Sequence, residues 1–152
     1  MTRSERAIDL FLNGCNCAQA VFAAFADLIP MEHKLALRLS SSFGGGIGRQ
    51  REVCGAVSGM CMVLGFLYGY DDLSDAPAKA EHYRLVQELC GAFKQRFGSI
   101  VCRELLGTKT ATTTPEPDPR TAEYYRTRPC ARQVGVAAEI LEAFVNEHPV
   151  AK

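Results

Sequence analysis

The stretch Phe43-Gly44-Gly45-Gly46-Ile47-Gly48-Arg49-Gln50-Arg51-Glu52-Val53-Cys54-Gly55-Ala56-Val57-Ser58-Gly59 constrains this chain more than any other. Its glycines free the backbone for positive φ and close approach, and they lead into a cysteine at the head of an apolar helical pattern. The free N–H groups and partial positive charge of a helix start favour a thiolate there, the form that attacks disulfides and binds metals. From Glu52 to Tyr68 nearly every face is apolar, with Val53, Val57, Met60, Met62, Val63, Leu64, Phe66 and Leu67, which predicts a buried central helix. Gly55, Gly59 and Gly65 each weaken such a helix by roughly 0.5–1 kcal/mol relative to Ala, so close backbone packing or a bound cofactor is expected beside them. Gly45, Gly46, Gly55 and Gly59 are the candidate points of backbone approach to a cofactor.

The rest of the chain repeats the helical period. Ser4 is placed to cap a first helix that Asn13-Gly14 ends, and Asn16 to cap an Ala-rich one through Leu28 with Val21, Phe25 and Leu28 on one face. Leu35, Leu39 and Phe43 are spaced four apart between Met31 and the glycine loop. Pro77 suits the first turn of a long helix carrying Tyr83, Val86, Leu89, Cys90, Phe93 and Phe97, which Gly98 stops. A short piece from Cys102 ends at Gly107, and a last amphipathic helix follows Pro129. Thr108 to Pro119, rich in Thr and Pro, reads as a loop or flap over a site. No segment alternates with period two. The expectation is all-α: one domain over residues 1–152, a compact bundle of about five to seven helices with the buried central helix after the Gly-rich loop.

Lysine plus arginine balances aspartate plus glutamate at 17 each, so no broad field attracts nucleic acid. No apolar run reaches the ~20 residues of a membrane span and no signal-peptide core follows Met1, so a cytoplasmic protein is expected, with no membrane or nucleic-acid partner. Seven cysteines in such a chain argue for core packing, redox exchange or metal ligation rather than stable disulfides. Cys17, Cys54, Cys102 and Cys130 each fall within a turn of a predicted helix start. If those starts converge, four thiols meet four helix dipoles, and either a metal site or a redox dithiol follows. Cys61 and Cys90 sit on apolar faces and read as small core residues, and Cys15 is a candidate auxiliary thiol. The glycine run lacks the preceding strand and Gly-Lys-Ser/Thr of a nucleotide loop. Arg49 and Arg51 flank Cys54 closely enough to favour its thiolate, or are solvated. His33, His82 and His148 are scattered, and no hydrolase motif is present.

Asn16-Cys17-Ala18-Gln19-Ala20-Val21, Phe43-Gly44-Gly45-Gly46-Ile47-Gly48, Cys54-Gly55-Ala56-Val57-Ser58-Gly59, Phe97-Gly98-Ser99-Ile100-Val101-Cys102-Arg103-Glu104-Leu105-Leu106-Gly107 and then Cys130 form an ordered set. In that set the chain resembles the C_GCAxxG_C_C family across nearly its whole length. The resemblance implies a redox-active protein similar to a domain of split-Soret cytochromes, with the signature cysteines falling on Cys17, Cys54, Cys102 and Cys130. This chain reads Cys-Gly-Ala-x-x-Gly where the family label reads Gly-Cys-Ala-x-x-Gly, and the lack of Cys-x-x-Cys-His leaves haem attachment aside.

Three functional expectations follow. The first is an iron–sulfur cluster, zinc or another metal held by Cys17, Cys54, Cys102 and Cys130 for electron transfer or redox sensing. The second is a metal-free thiol–disulfide oxidoreductase or sensor with Cys54 as the attacking thiolate. The third is a helical binding module whose apolar central helix pairs two copies as a homodimer. A redox partner is expected in the first two, without features that identify it.

Overall fold

The periodic segments close as helices whose ends are set by local capping chemistry. The computed structural model describes residues 1–107 and 110–150. Helix α1 (Arg3–Leu12) starts two residues earlier than a Ser4 cap implies: Thr2 accepts from the Glu5 amide at 3.1 Å and the Glu5 carboxylate accepts from the Thr2 amide at 2.7 Å. This reciprocal box leaves Ser4 free to donate to the Gly135 carbonyl at 2.8 Å, which ties α1 to the last helix. Asn16 caps α2 (Cys17–Ala23) through the same kind of box with Gln19. Beyond Ala23 the chain tightens into turns closed by bonds from Phe25 to Phe22 and Ala26 to Ala23, so the helix stops short of Leu28 while Phe25 stays buried.

Helix α3 (His33–Ser40) packs on α2 by its small residues, Ala36 and Ser40, and leaves Leu35 and Leu39 about half exposed, at 49% and 50%. The four-residue spacing of those leucines therefore marks the outer edge of this helix. A single 3₁₀ turn leads into α4 (Gly44–Ile47), which is helical only in part because Gly45 and Gly46 adopt φ of 67° and 71°. The central helix α5 (Gly55–Tyr68) is followed by α6 (Ala76–Phe97), with Asp75 accepting from the Ala78 amide at 3.0 Å and Gly98 ending it at φ 87°. Then come α7 (Cys102–Leu106), α8 (Ala122–Thr127) and α9 (Cys130–Glu147). The architecture is all-α, and short pieces such as α4, α7 and α8 take the helix number past the expected five to seven. Among the described residues no strand forms; Val53 and Val101 make one isolated antiparallel bridge.

Helix α1 lies along α9, α2 crosses α5, and α2, α5 and α9 pack mutually with α6 covering the side of α5 and α9. Phe11, Val21, Phe25, Met60, Leu64, Phe93, Val134 and Leu141 meet in one core. Helix α5 is buried by Val57, Met60, Val63 and Leu64, but Gly65 and Phe66 in its last turns face outward. Among the described residues no helix is long and apolar enough to cross a membrane.

The glycines of α5 divide by what surrounds them. A Cβ at Gly59 would stand 2.8 Å from the Ala18 carbonyl oxygen, a backbone atom that cannot swing aside, whereas a Cβ at Gly65 would meet nothing within 4 Å. Gly59→Ala is therefore expected to destabilise by about 1–3 kcal/mol through overpacking, and Gly65→Ala to stabilise by about 0.5–1 kcal/mol through helix propensity. Urea midpoints of the two variants check this opposition of sign.

Candidate functional site

Helices α2, α7 and α9 begin at Cys17, Cys102 and Cys130, and Cys54 is the residue that precedes α5. Local packing brings these starts together. Gly55 lets α5 come up against α2 so closely that a Cβ there would stand 3.1 Å from the Cys17 Cβ. The Val53–Val101 bridge is flanked by bonds from the Cys54 amide to the Ile100 carbonyl at 2.8 Å and from the Cys102 amide to the Glu52 carbonyl at 2.6 Å, which seat Cys54 beside α7. Gly46 passes under the same place, and a Cβ on it would lie 2.8 Å from the Cys102 Cβ. With α9 packed on α2, all four cysteines line one cavity of about 320 Å³.

The loop that forms the cavity floor is unusual in its backbone. Besides the glycines, Ile47, Arg49 and Arg51 adopt φ of 66°, 68° and 63°, a region that costs an L-residue roughly 1–2 kcal/mol. The strain is held by bonds from the Arg51 amide to Gly45 O at 3.1 Å and from Glu52 to Gly46 O at 3.0 Å. Its result is to turn the Arg49 and Arg51 side chains toward the cavity, which both line. Arg51 is buried; its Nε donates to the Thr112 carbonyl at 2.8 Å and its Nη1 lies 3.7 Å from the Cys102 sulfur. Arg49 donates to the Thr114 carbonyl at 2.6 Å and to Asp118 at 3.0 Å, and Arg128 donates to the same Asp118 oxygen at 2.6 Å. Arg120 stacks over the Phe11 ring at 4.3 Å and donates to the carbonyls of Phe11 and Cys15.

The thiols differ in their electrostatics. Interaction with Cys17, and then the positive charge of Arg128, Arg120 and Arg51, lowers Cys130 to about 7 against the burial that opposes it. Cys17 is held well above the ordinary thiol range by that same interaction and by burial. Burial pushes Cys54 up to about 12 even though the Val57 and Ala56 amides at the start of α5 favour its thiolate. Burial also raises Cys102, with Arg51 working against it. The helix-start position that singled out Cys54 in the sequence is thus outweighed there by desolvation, and Cys130 is the sulfur that carries charge most readily.

Gly45, Gly46 and Gly55 line the cavity, whereas Gly59 lies against α2 and serves the packing of two helices. Thr108 and Lys109 of the expected flap lie outside the described residues; Pro115, Pro117 and Asp118 of the remainder close over the cavity. Cys15 is half-buried and outside the cavity lining, and Cys61 and Cys90 touch across α5 and α6 with sulfurs 3.8 Å apart. His33 and His148 are exposed. Sequence reasoning missed Arg120, Arg128 and Asp118, and the available signal was an arginine two residues before the helix-start Cys130. Among the described residues no three His, Cys, Asp or Glu side chains are grouped to hold one metal ion.

The sequence model of the family described as "Putative redox-active protein (C_GCAxxG_C_C)" matches residues 15–144. No curated protein and no solved structure matches the chain.

Asp118 fastens the flap, and its carboxyl is held below the usual carboxylate range by Arg49 and then Arg128. A lowered folded pKa stabilises fully above the unfolded value of about 4 and loses that effect as pH falls through the folded value. Hydrogen exchange of residues 112–118, corrected for intrinsic rate, is expected to stay flat from about pH 7 to 5 and to accelerate below about pH 4. Asp118→Asn should show the fast exchange throughout, because two guanidiniums then lose their shared acceptor.

Proposed function

The chain belongs to the C_GCAxxG_C_C family, and from that premise we propose that it is a thiol–disulfide redox protein whose exchanging pair is Cys17 and Cys130. The observation that carries the reading is that Cys17 and Cys130 line one arginine-rich cavity, where their interaction lowers Cys130 and raises Cys17. One sulfur is thereby prepared to attack and the other to resolve. The second expectation of the sequence is kept in kind, with the attacking role moved from Cys54 to Cys130.

The exchange runs against a disulfide-bearing partner. The Cys130 thiolate attacks one partner sulfur, forming a mixed disulfide and expelling the other partner sulfur as a thiolate. That leaving thiolate takes the Cys17 proton. The Cys17 sulfur then attacks Cys130, expelling the partner's second sulfur and closing the Cys17–Cys130 disulfide. Two electrons pass to the partner, whose disulfide becomes one thiol and one thiolate that takes its proton from water, and the reverse sequence reduces the protein. Arg128, Arg120 and Arg51 stabilise the charge on Cys130 before attack. Cys54 and Cys102 remain thiols on the cavity wall.

A second reading rests on the same convergence of four sulfurs. An iron–sulfur cluster takes four thiolates that are remote in sequence, and such a group is broader than a single ion. The side chains that would hold it are Cys17, Cys54, Cys102 and Cys130, and it would supply one-electron transfer. The lack of a three-ligand grouping for one ion among the described residues weighs against lone zinc in this arrangement.

Elemental analysis of anaerobically purified protein, followed by oxidation with a small disulfide and peptide mapping, separates the readings. The expected result is metal-free protein that closes a reversible Cys17–Cys130 disulfide, with Cys130 alkylation half-maximal near pH 7. Cys17→Ala removes the proton donor and leaves the burial, so the midpoint should rise by about one unit or more. Stoichiometric iron and inorganic sulfide would replace this reading by the cluster, and a Cys130 no faster than a free thiol would end it.

A further inference from the structure

The cavity carries more positive charge than its thiols need. Of the charged side chains lining it, four are arginines, at positions 49, 51, 120 and 128, and one is a carboxylate, Asp118. Arg49 and Arg128 converge on that one carboxylate, so a single negative charge serves two guanidiniums. Arg120 is satisfied by backbone carbonyls and an aromatic ring, none of which neutralises it. A thiolate at Cys130 would still leave the wall cationic.

Arg51 supplies a second and independent observation. The residue is 4% exposed, and its Nη2 is buried with no hydrogen-bond partner among the described residues. Its Nε and Nη1 are engaged by the Thr112 carbonyl and the Cys102 sulfur, which fix the plane of the guanidinium and leave Nη2 without an acceptor, in a residue that lines the cavity. A buried ionic donor without an acceptor is costly, and the acceptor that best suits a guanidinium fork is a carboxylate, sulfate or phosphate oxygen. Gly45 and Gly46 line the same space.

We propose that this cavity is a binding site for a small oxyanion, with the Arg51 guanidinium as its principal anchor, and that the substrate reaching the thiols is a small molecule with an oxyanion head. The substrate class rests on the thiol reading above; the anion site itself does not. A free inorganic oxyanion and a carboxylate-bearing disulfide present the same oxygen chemistry to Arg51, whose buried Nη2 meets either by a rotation of the guanidinium toward the cavity the residue lines. The cavity volume, about 320 Å³, lies at the lower end of small-molecule sites.

The test is calorimetric titration of inorganic sulfate into the reduced full chain, with ionic strength held constant by sodium chloride. Saturable binding is expected in the wild type. Arg51→Met should weaken it about tenfold or more, and Arg51→Lys, which keeps the charge and loses the fork, by several-fold. Arg84→Gln, on the exposed face of α6, should leave it unchanged. Circular dichroism establishes folding of each variant, and if Arg51→Met does not fold, Arg51→Lys decides. Heats equal to those of added chloride, or Arg51 variants that bind as tightly as the wild type, overturn the proposal. Sulfate that slows oxidation by dithiodiglycolate but not by neutral hydroxyethyl disulfide identifies the carboxylate-bearing disulfide as the substrate. Sulfate binding that protects against neither identifies the inorganic oxyanion as the ligand and supports the site without that substrate. Sulfate binding in a protein that closes no Cys17–Cys130 disulfide removes the thiol reading alone, whereas the disulfide without sulfate binding removes the anion site alone.

Discussion

The close crossing of α2 and α5 is the constraint on which the rest depends. Gly55 and Gly59 present bare backbone to α2, where Cβ atoms would come within 2.8–3.3 Å of Phe43, Cys17, Ala18 and Val21. That approach sets the start of α5 beside the start of α2, and so sets Cys54 near Cys17. It also fixes the depth at which Met60, Val63 and Leu64 enter the core between α2, α6 and α9. Larger residues at either glycine would force two backbones apart, and the cavity wall is built from the same two helix ends.

Around this crossing, the loop from Gly44 to Cys54 acts as a rigid insert. Six of its residues from Gly45 to Arg51 hold positive φ, three of them non-glycine, and each turn is tied by backbone bonds to the loop itself or to α7. Strain of this kind persists where the surroundings over-determine it, and its consequence here is the burial of a guanidinium beside a sulfur. The second strand of support comes from the Thr- and Pro-rich segment. Its carbonyls at Thr112 and Thr114 and its carboxylate at Asp118 accept the arginines of the loop, so cavity floor and cover hold each other in place.

The thiols show how burial and hydrogen bonding compete at helix starts. A helix N-terminus favours a thiolate, yet Cys54, placed at the head of the fourteen-residue α5, is pushed up to about 12 by burial. Cys130 at the head of α9 is also buried, but a thiol donor and three arginines reverse the balance. The dipole alone is worth roughly 0.3–1 kcal/mol at such a site, less than the desolvation of a buried anion. Partners within contact distance therefore decide which sulfur carries charge.

Much of this was legible in the residues. Helical period without alternation determined an all-α chain, Asn16, Pro77, Gly98 and Gly107 determined helix limits, and four cysteines at helix starts marked the region of the site. These are local properties, fixed by capping, backbone freedom and the spacing of apolar side chains within a few turns. Leu35 and Leu39 give the period of α3 but not its buried side, since α3 rests on α2 by its small residues and turns the larger ones outward. The convergence of Cys17, Cys54, Cys102 and Cys130 on one cavity, and the addition of Arg120, Arg128 and Asp118 to it, were decided by tertiary structure. The four cysteines are far apart in sequence, and burial and paired charges depend on distances that no local pattern encodes.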